Sequence, residues 1–232
     1  MEPSLLKYLL SSTFGILHGN ARWMGWNLFL ALVPLALSVL LFRQTRMGTT
    51  PLTLPPIALQ LRHRSWLWWA GVIAFIAFLP NAPYILTDVI HFIDAVQDFE
   101  SEIWVITLVL IPLYVLFVFA GFESYVLSLI NLGYYLNQRE LGRYVLGVEL
   151  VIHFLSAIGI YLGRFLRYNS WDLVTRLDEI ALTVIEDLVG KRPLLAIVIT
   201  FVLTTALYIP FKRATLAVAA YQTTSTRQTH QI

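Results

Sequence analysis

A chain of 232 residues that is 58% hydrophobic and only 13% charged, with a mean hydropathy of +0.71, is not a water-soluble domain, which carries about 25% charged residues. Its backbone polar groups must be satisfied within lipid, and apolar runs far longer than the ~10 residues of a barrel strand select helices over a barrel. A net charge of +2 with no basic run argues against nucleic acid, and the absence of cysteine excludes disulfides and thiolate chemistry.

In chain order, residues 4–18 are apolar but short and include Lys7. They read as an interfacial or partly embedded helix, a sixth span only if inserted. Trp23 to Phe42, uncharged between Arg22 and Arg43, is long enough to cross a ~30 Å hydrocarbon layer. Residues 43–64 form a basic, proline-containing loop. The second span starts near Trp66, with Trp68 and Trp69 as an interfacial belt, and stops at Leu79. Pro80 and Pro83 break the helix there, because each lacks an N–H and disfavours helical geometry in the residue before it.

Residues 85–102 carry Asp88, Asp94, Asp98, Glu100 and Glu102 and no Lys or Arg. The apolar stretch 103–136, interrupted by Pro112 and Glu123, predicts one long tilted or kinked span of ~50 Å rather than a hairpin. A fourth span covers about 144–163 and a fifth about 193–211. Between them, 171–189 has apolar residues at helical spacing and predicts an amphipathic helix along the interface, capped by Asn169 or Ser170. The fold class is therefore an all-α membrane protein with about five transmembrane helices plus an interfacial amphipathic helix. Residues 1–211 form one polytopic domain, and 212–232 a polar cytoplasmic tail expected to be disordered.

The loop 43–64 holds four Lys or Arg and 139–143 two, against none in 81–102. The positive-inside rule puts the basic loops and the C-terminus in the cytoplasm. The segment 164–192, with five basic residues, runs against this count, and the anomaly shrinks if Arg164 and Arg167 are kept there for function. On this topology the cluster from Pro80 to His91 and the cluster from Arg164 to Asp172 both face the non-cytoplasmic side. One composite site becomes possible.

Three phrases carry a family resemblance. They are Asn27-Leu28-Phe29-Leu30-Ala31 with Pro34; Leu79-Pro80-Asn81-Ala82-Pro83-Tyr84 with Thr87, Asp88 and His91; and Tyr161-Leu162-Gly163-Arg164-Phe165 with Arg167, Asn169, Ser170, Trp171 and Asp172. Over about residues 22 to 211 the chain resembles a family of uncharacterised bacterial membrane proteins, domain of unknown function 1361. The resemblance implies a multi-helix bacterial membrane protein and no established activity. Tyr168 departs mildly from the pattern, standing where the family has Trp.

Asp88 and His91, three apart, suit an acid–base pair in which the carboxylate orients the imidazole. The structural alternative is a helix-capping Asp with His at the wet interface. Arg164 and Arg167 offer planar forks for phosphate or carboxylate, against snorkelling or pairing with Asp88 or Asp172. Asn81, Tyr84, Asn169 and Asp172 complete the candidate ligand-binding set. Two ligands do not make a metal site, so no metal and no cofactor is expected. Glu149 and His153, four apart inside a span, suit either a proton relay or hydrogen-bonded packing, and Glu123 also lies inside a span. Gly159 and Gly163 give a GxxxG spacing, read as close helix packing.

The function expected is an outward polar site in a bacterial plasma-membrane protein, binding an anionic lipid-like or envelope-derived ligand. The bilayer itself is the only definite partner. The alternatives are a membrane enzyme using the Asp88–His91 pair on such a ligand, and a structural or accessory subunit of a membrane complex.

Overall fold

The computed structural model describes residues 3–43, 66–99, 102–168, 172–176, 178–180, 182 and 191–229. Nearly all of the basic loop, most of the expected amphipathic helix and Asn169 lie outside the described residues. Among those described there are helices and no strands.

The first helix, α1 (Pro3–Phe42), is continuous over 40 residues, so 4–18 joins the first span without a break, and the stretch long and apolar enough to cross a membrane begins at His18. Pro3 stands at its start, where a missing N–H costs nothing. Asn20 donates to the Ile16 carbonyl at 2.9 Å and accepts from Trp23 Nε1 at 2.8 Å, so its polar side chain is satisfied on the helix itself.

Next come α2 (Trp66–Phe78), α3 (Asn81–Tyr84), a 3-10 turn at Ile85–Asp88 and α4 (Val89–Asp98). The helix ends at Phe78, as Pro80 and Pro83 predict, but only the turn at Leu79 and Pro80 intervenes before α3, because each proline falls in the first turn of new helix, where a missing N–H breaks little. The Ala82 N–H reaches the Leu79 carbonyl at 3.2 Å, and Tyr84 reaches Pro80 at 3.0 Å. Trp66–Asp98 is thus one irregular apolar stretch of 33 residues.

A short helix α5 (Ile103–Val105), a π-helical turn at Ile106–Leu110 and α6 (Ile111–Gln138) form the single long span that 103–136 predicted. The π turn falls just before Pro112, an irregularity expected where an N–H is missing. After a 3-10 turn at Gly142–Tyr144 come α7 (Val145–Arg164), the short α8 (Asp172–Thr175) and α9 (Lys191–Thr229). The chain from 212 is therefore helical to Thr229 and not the unstructured tail expected. Ala214, Ala217, Ala219 and Ala220, strong helix formers, carry it on.

Five helical stretches are long and apolar enough to cross a membrane: His18–Phe42, Trp66–Asp98, Ile103–Gln138, Gly142–Arg164 and Lys191–Gln222. The protein is an all-α, multi-pass membrane protein. α1 runs antiparallel to α2 and parallel to α6. At one end the Phe42 ring meets Phe75 at 5.1 Å and Tyr135 at 5.5 Å; towards the other, Trp23 meets Phe117 at 5.6 Å. Gly121 of α6 admits Ile85, whose Cδ1 would lie 2.1 Å from any added Cβ. α9 packs on α7 through Ile197 against Ala157 and Tyr161, and Phe211 then meets Phe122 of α6 at 5.1 Å. The bundle has two unlike ends. Arg43 and Arg139 lie over Tyr134 and Tyr135 at one; Asp88 and Arg164 meet at the other.

Candidate functional site

The 3-10 turn ends on Asp88, which is 1% exposed. A buried carboxylate must be paired, and it is. Asn27 of α1 donates to Oδ2 at 2.9 Å, and Nη2 of Arg164, at the last turn of α7, donates to Oδ1 at 2.8 Å. Arg164 Nε also donates to Thr87 Oγ1 at 3.0 Å, while the Thr87 hydroxyl donates to the Tyr84 carbonyl at 2.6 Å. The same guanidinium lies 4.8 Å from the centre of the Tyr84 ring. One ion pair therefore ties three parts of the chain together, and the two sequence clusters meet at contact distance.

Gly159 and Gly163 make that approach possible. A Cβ on Gly159 would lie 2.6 Å from Pro80 Cγ, and one on Gly163 would lie 3.3 Å from Tyr84 Cε2. Their spacing serves packing within the chain. Asn81 Nδ2 donates to the Phe78 carbonyl at 2.8 Å, satisfying an acceptor at the α2 end.

Next to this node lies a cleft of about 360 Å³ between α1, the α2–α3 corner and α7. Its polar lining is Asn27, Asn81, Tyr84, Arg167 and Tyr168; its apolar lining includes Trp26, Leu30, Ala77, Phe78 and Leu162. Buried Ile180, from the segment between α8 and α9, also lines it. Arg167 adopts a left-handed φ of 60°, which reverses the chain so that the Tyr168 N–H returns to the Leu162 carbonyl at 3.1 Å. Its guanidinium makes no hydrogen bond or ion pair among the described residues.

The two arginines therefore divide. Arg164 is consumed by Asp88, and Arg167 is available to the cleft. The expected Asp88–His91 pair does not form: the exposed His91 ring packs on Trp23 at 4.8 Å, beside a second cleft bordered by Asp94 and Asp98. Asp172 is half-buried at the start of α8 and does not line the main cleft. Among the described residues no group of three His, Asp or Glu is placed to hold a metal.

Glu149 and His153 also take separate partners. Glu149 Oε1 accepts from Tyr208 at 2.7 Å and from Lys212 at 2.5 Å, while His153 Nδ1 shares a 2.7 Å bond with the Tyr125 hydroxyl. Glu123 accepts from Thr215 at 2.6 Å. These bonds join α7 and α6 to α9, in line with hydrogen-bonded packing and not with a Glu149–His153 relay.

The site residues that sequence reasoning left without a role are Asn27, Thr87 and Tyr168. An amide inside an otherwise uncharged span was the available signal for Asn27. A family model described as a protein of unknown function, DUF1361, matches residues 26–206, which include the whole cleft. No curated protein and no solved structure matches the chain.

Proposed function

The chain belongs to the family of unknown function DUF1361, and from that premise we propose that its cleft is a binding site for an anionic, lipid-like or envelope-derived ligand. The observation that carries this reading is Arg167, a guanidinium with no protein partner among the described residues, lining a cleft whose other polar walls, Asn27, Asn81 and Tyr168, already hydrogen-bond within the protein. A planar guanidinium fork suits phosphate or carboxylate. The membrane is the bacterial plasma membrane and the cleft faces away from the cytoplasm. The basic residues of 43–64 and 139–143 and their absence from 81–102 support that orientation.

Acid–base catalysis by Asp88 and His91 gains no support from the geometry, since Asp88 is held by Asn27 and Arg164. The Asp88–Arg164 pair is better read as the structural element beside the site.

Equilibrium dialysis of the detergent-solubilised protein against glycerol phosphate tests the reading. Arg167→Gln should lower affinity at least tenfold at an unchanged melting temperature, whereas Arg164→Gln should lower the melting temperature first. Wild-type affinity in Arg167→Gln would refute the site.

A further inference from the structure

The cleft changes character in one direction along all three of its walls. On α1, Asn27 precedes Leu30; on the α2–α3 corner, Asn81 gives way to Phe78 and Ala77; on α7, Gly163 and the Arg167–Tyr168 turn give way to Gly159. Because α1 runs antiparallel to α2 and α7 ends beside Asp88, these changes share one sense. The polar end lies at the outer end of the bundle, and the apolar end lies deeper in stretches long and apolar enough to cross the membrane. A small hydrophilic anion matches only the upper half of such a surface. Trp26, next to Asn27 on α1, also lines the cleft and is 55% exposed. A volume of about 360 Å³ lies near the lower limit of small-molecule sites, enough for a headgroup and the first part of one chain. The remainder of a longer molecule would stay in the bilayer.

From this gradient we propose that the ligand is a membrane amphiphile whose phosphate headgroup carries a net negative charge, with no cationic group of its own to neutralise it, and that it enters sideways from the bilayer. Its phosphate sits against Arg167, and the start of one hydrocarbon chain runs along Leu30, Ala77 and Phe78. Lateral access keeps the chain in apolar surroundings throughout, so recognition rests on the charge of the headgroup. This inference rests on the anion-binding reading above but goes further, in assigning the source of the anion.

The test uses phosphatidylglycerol and phosphatidylcholine, each with a photoactivatable diazirine near the carboxyl end of one acyl chain, in phosphatidylcholine nanodiscs holding the full chain. The expected result is at least fivefold more labelling of peptides containing residues 26–30 and 77–78 by the anionic probe. Arg167→Gln should cut that excess to the phosphatidylcholine level, and Arg167→Lys should retain part of it, which separates loss of charge from loss of fold. Equal labelling by both probes, or labelling spread evenly over lipid-facing residues such as Val115 and Val151, would overturn the proposal. Glycerol phosphate dialysis then separates the two readings. Arg167-dependent binding of glycerol phosphate without headgroup-dependent labelling leaves a site for a soluble anion and removes the lipid. Absence of both removes the site as well.

Discussion

Arg167 and Glu140 are the non-glycine residues with positive φ among those described, at 60° and 61°. A side chain in that region costs about 1 kcal/mol, so each is held there by something else. For Glu140 the reason is local. The Leu141 N–H returns to the Leu136 carbonyl at 2.9 Å and the Glu140 N–H to Asn137 at 3.1 Å, the bond pair that ends a helix with a left-handed residue, usually glycine. For Arg167 the reason is functional on the reading above: a glycine would turn the chain as well but bring no guanidinium. Glycine at either position should therefore raise stability by up to about 1 kcal/mol, less the entropy it returns to the unfolded chain. Glu140→Gly should leave glycerol phosphate binding untouched, while Arg167→Gly should abolish it. Melting curves and dialysis on the two variants check both halves, and unimpaired binding by Arg167→Gly would mean that the arginine merely occupies a turn. The difference between Arg164 and Arg167 was not legible in sequence, where they stand three apart on similar apolar flanks. It depends on which of them Asp88 meets, and Asp88 lies 76 positions away from Arg164.

Elements meet in this bundle through glycines, and α7 supplies its own control. A Cβ on Gly159 would press on the Pro80 ring at 2.6 and 2.7 Å, whereas one on Gly147 meets nothing within 4 Å. A proline ring cannot swing aside, so Gly159→Ala must push α7 away from the α2–α3 corner, at a cost of about 1–3 kcal/mol. The same shift would lengthen the Asp88–Arg164 contact and reshape the cleft. Gly147→Ala should be neutral or slightly stabilising, since alanine is the better helix former. Thermal melts of the two variants decide it; equal stability would show that α7 does not depend on close approach to Pro80. Most spans were legible from apolar length and flanking charge, including the single long stretch expected over 103–136, which runs Ile103–Gln138, but the second was expected to stop at Leu79 and continues to Asp98. The outcome at Pro80 and Pro83 was not. Two prolines show that helical bonding is interrupted, but whether a loop follows depends on what receives the freed carbonyls. Here the Asn81 amide and the Thr87 hydroxyl do so from within the same turns, and Gly159 leaves room for the ring. The polar composition after Lys212 was equally ambiguous, because an alanine-rich segment continues a helix that has already been nucleated by the apolar turns before it.

At the scale of the whole molecule the Asp88–Arg164 contact restricts topology more strongly than charge counting does. Residues 2.8 Å apart lie at one depth, so the 3-10 turn and the C-terminal end of α7 share a level in the bundle. The proposed orientation rests on charge bias: Arg43, Arg139 and Arg143 gather at the opposite end, and cytoplasmic loops carry the excess of Lys and Arg. The natural absence of cysteine makes single-cysteine labelling direct. Gln97, Asp178 and Glu140 are exposed, and substitution of each by cysteine disturbs no described contact of the cleft. In right-side-out spheroplasts a membrane-impermeant maleimide should label Gln97→Cys and Asp178→Cys, but Glu140→Cys only after lysis. The opposite pattern would keep the fold and turn the cleft towards the cytoplasm, where it would meet soluble phosphates as well as lipids. Labelling of 97 and 178 from different sides would contradict a topology in which the two polar clusters share one face of the membrane, and with it every inference that treats them as one outward site.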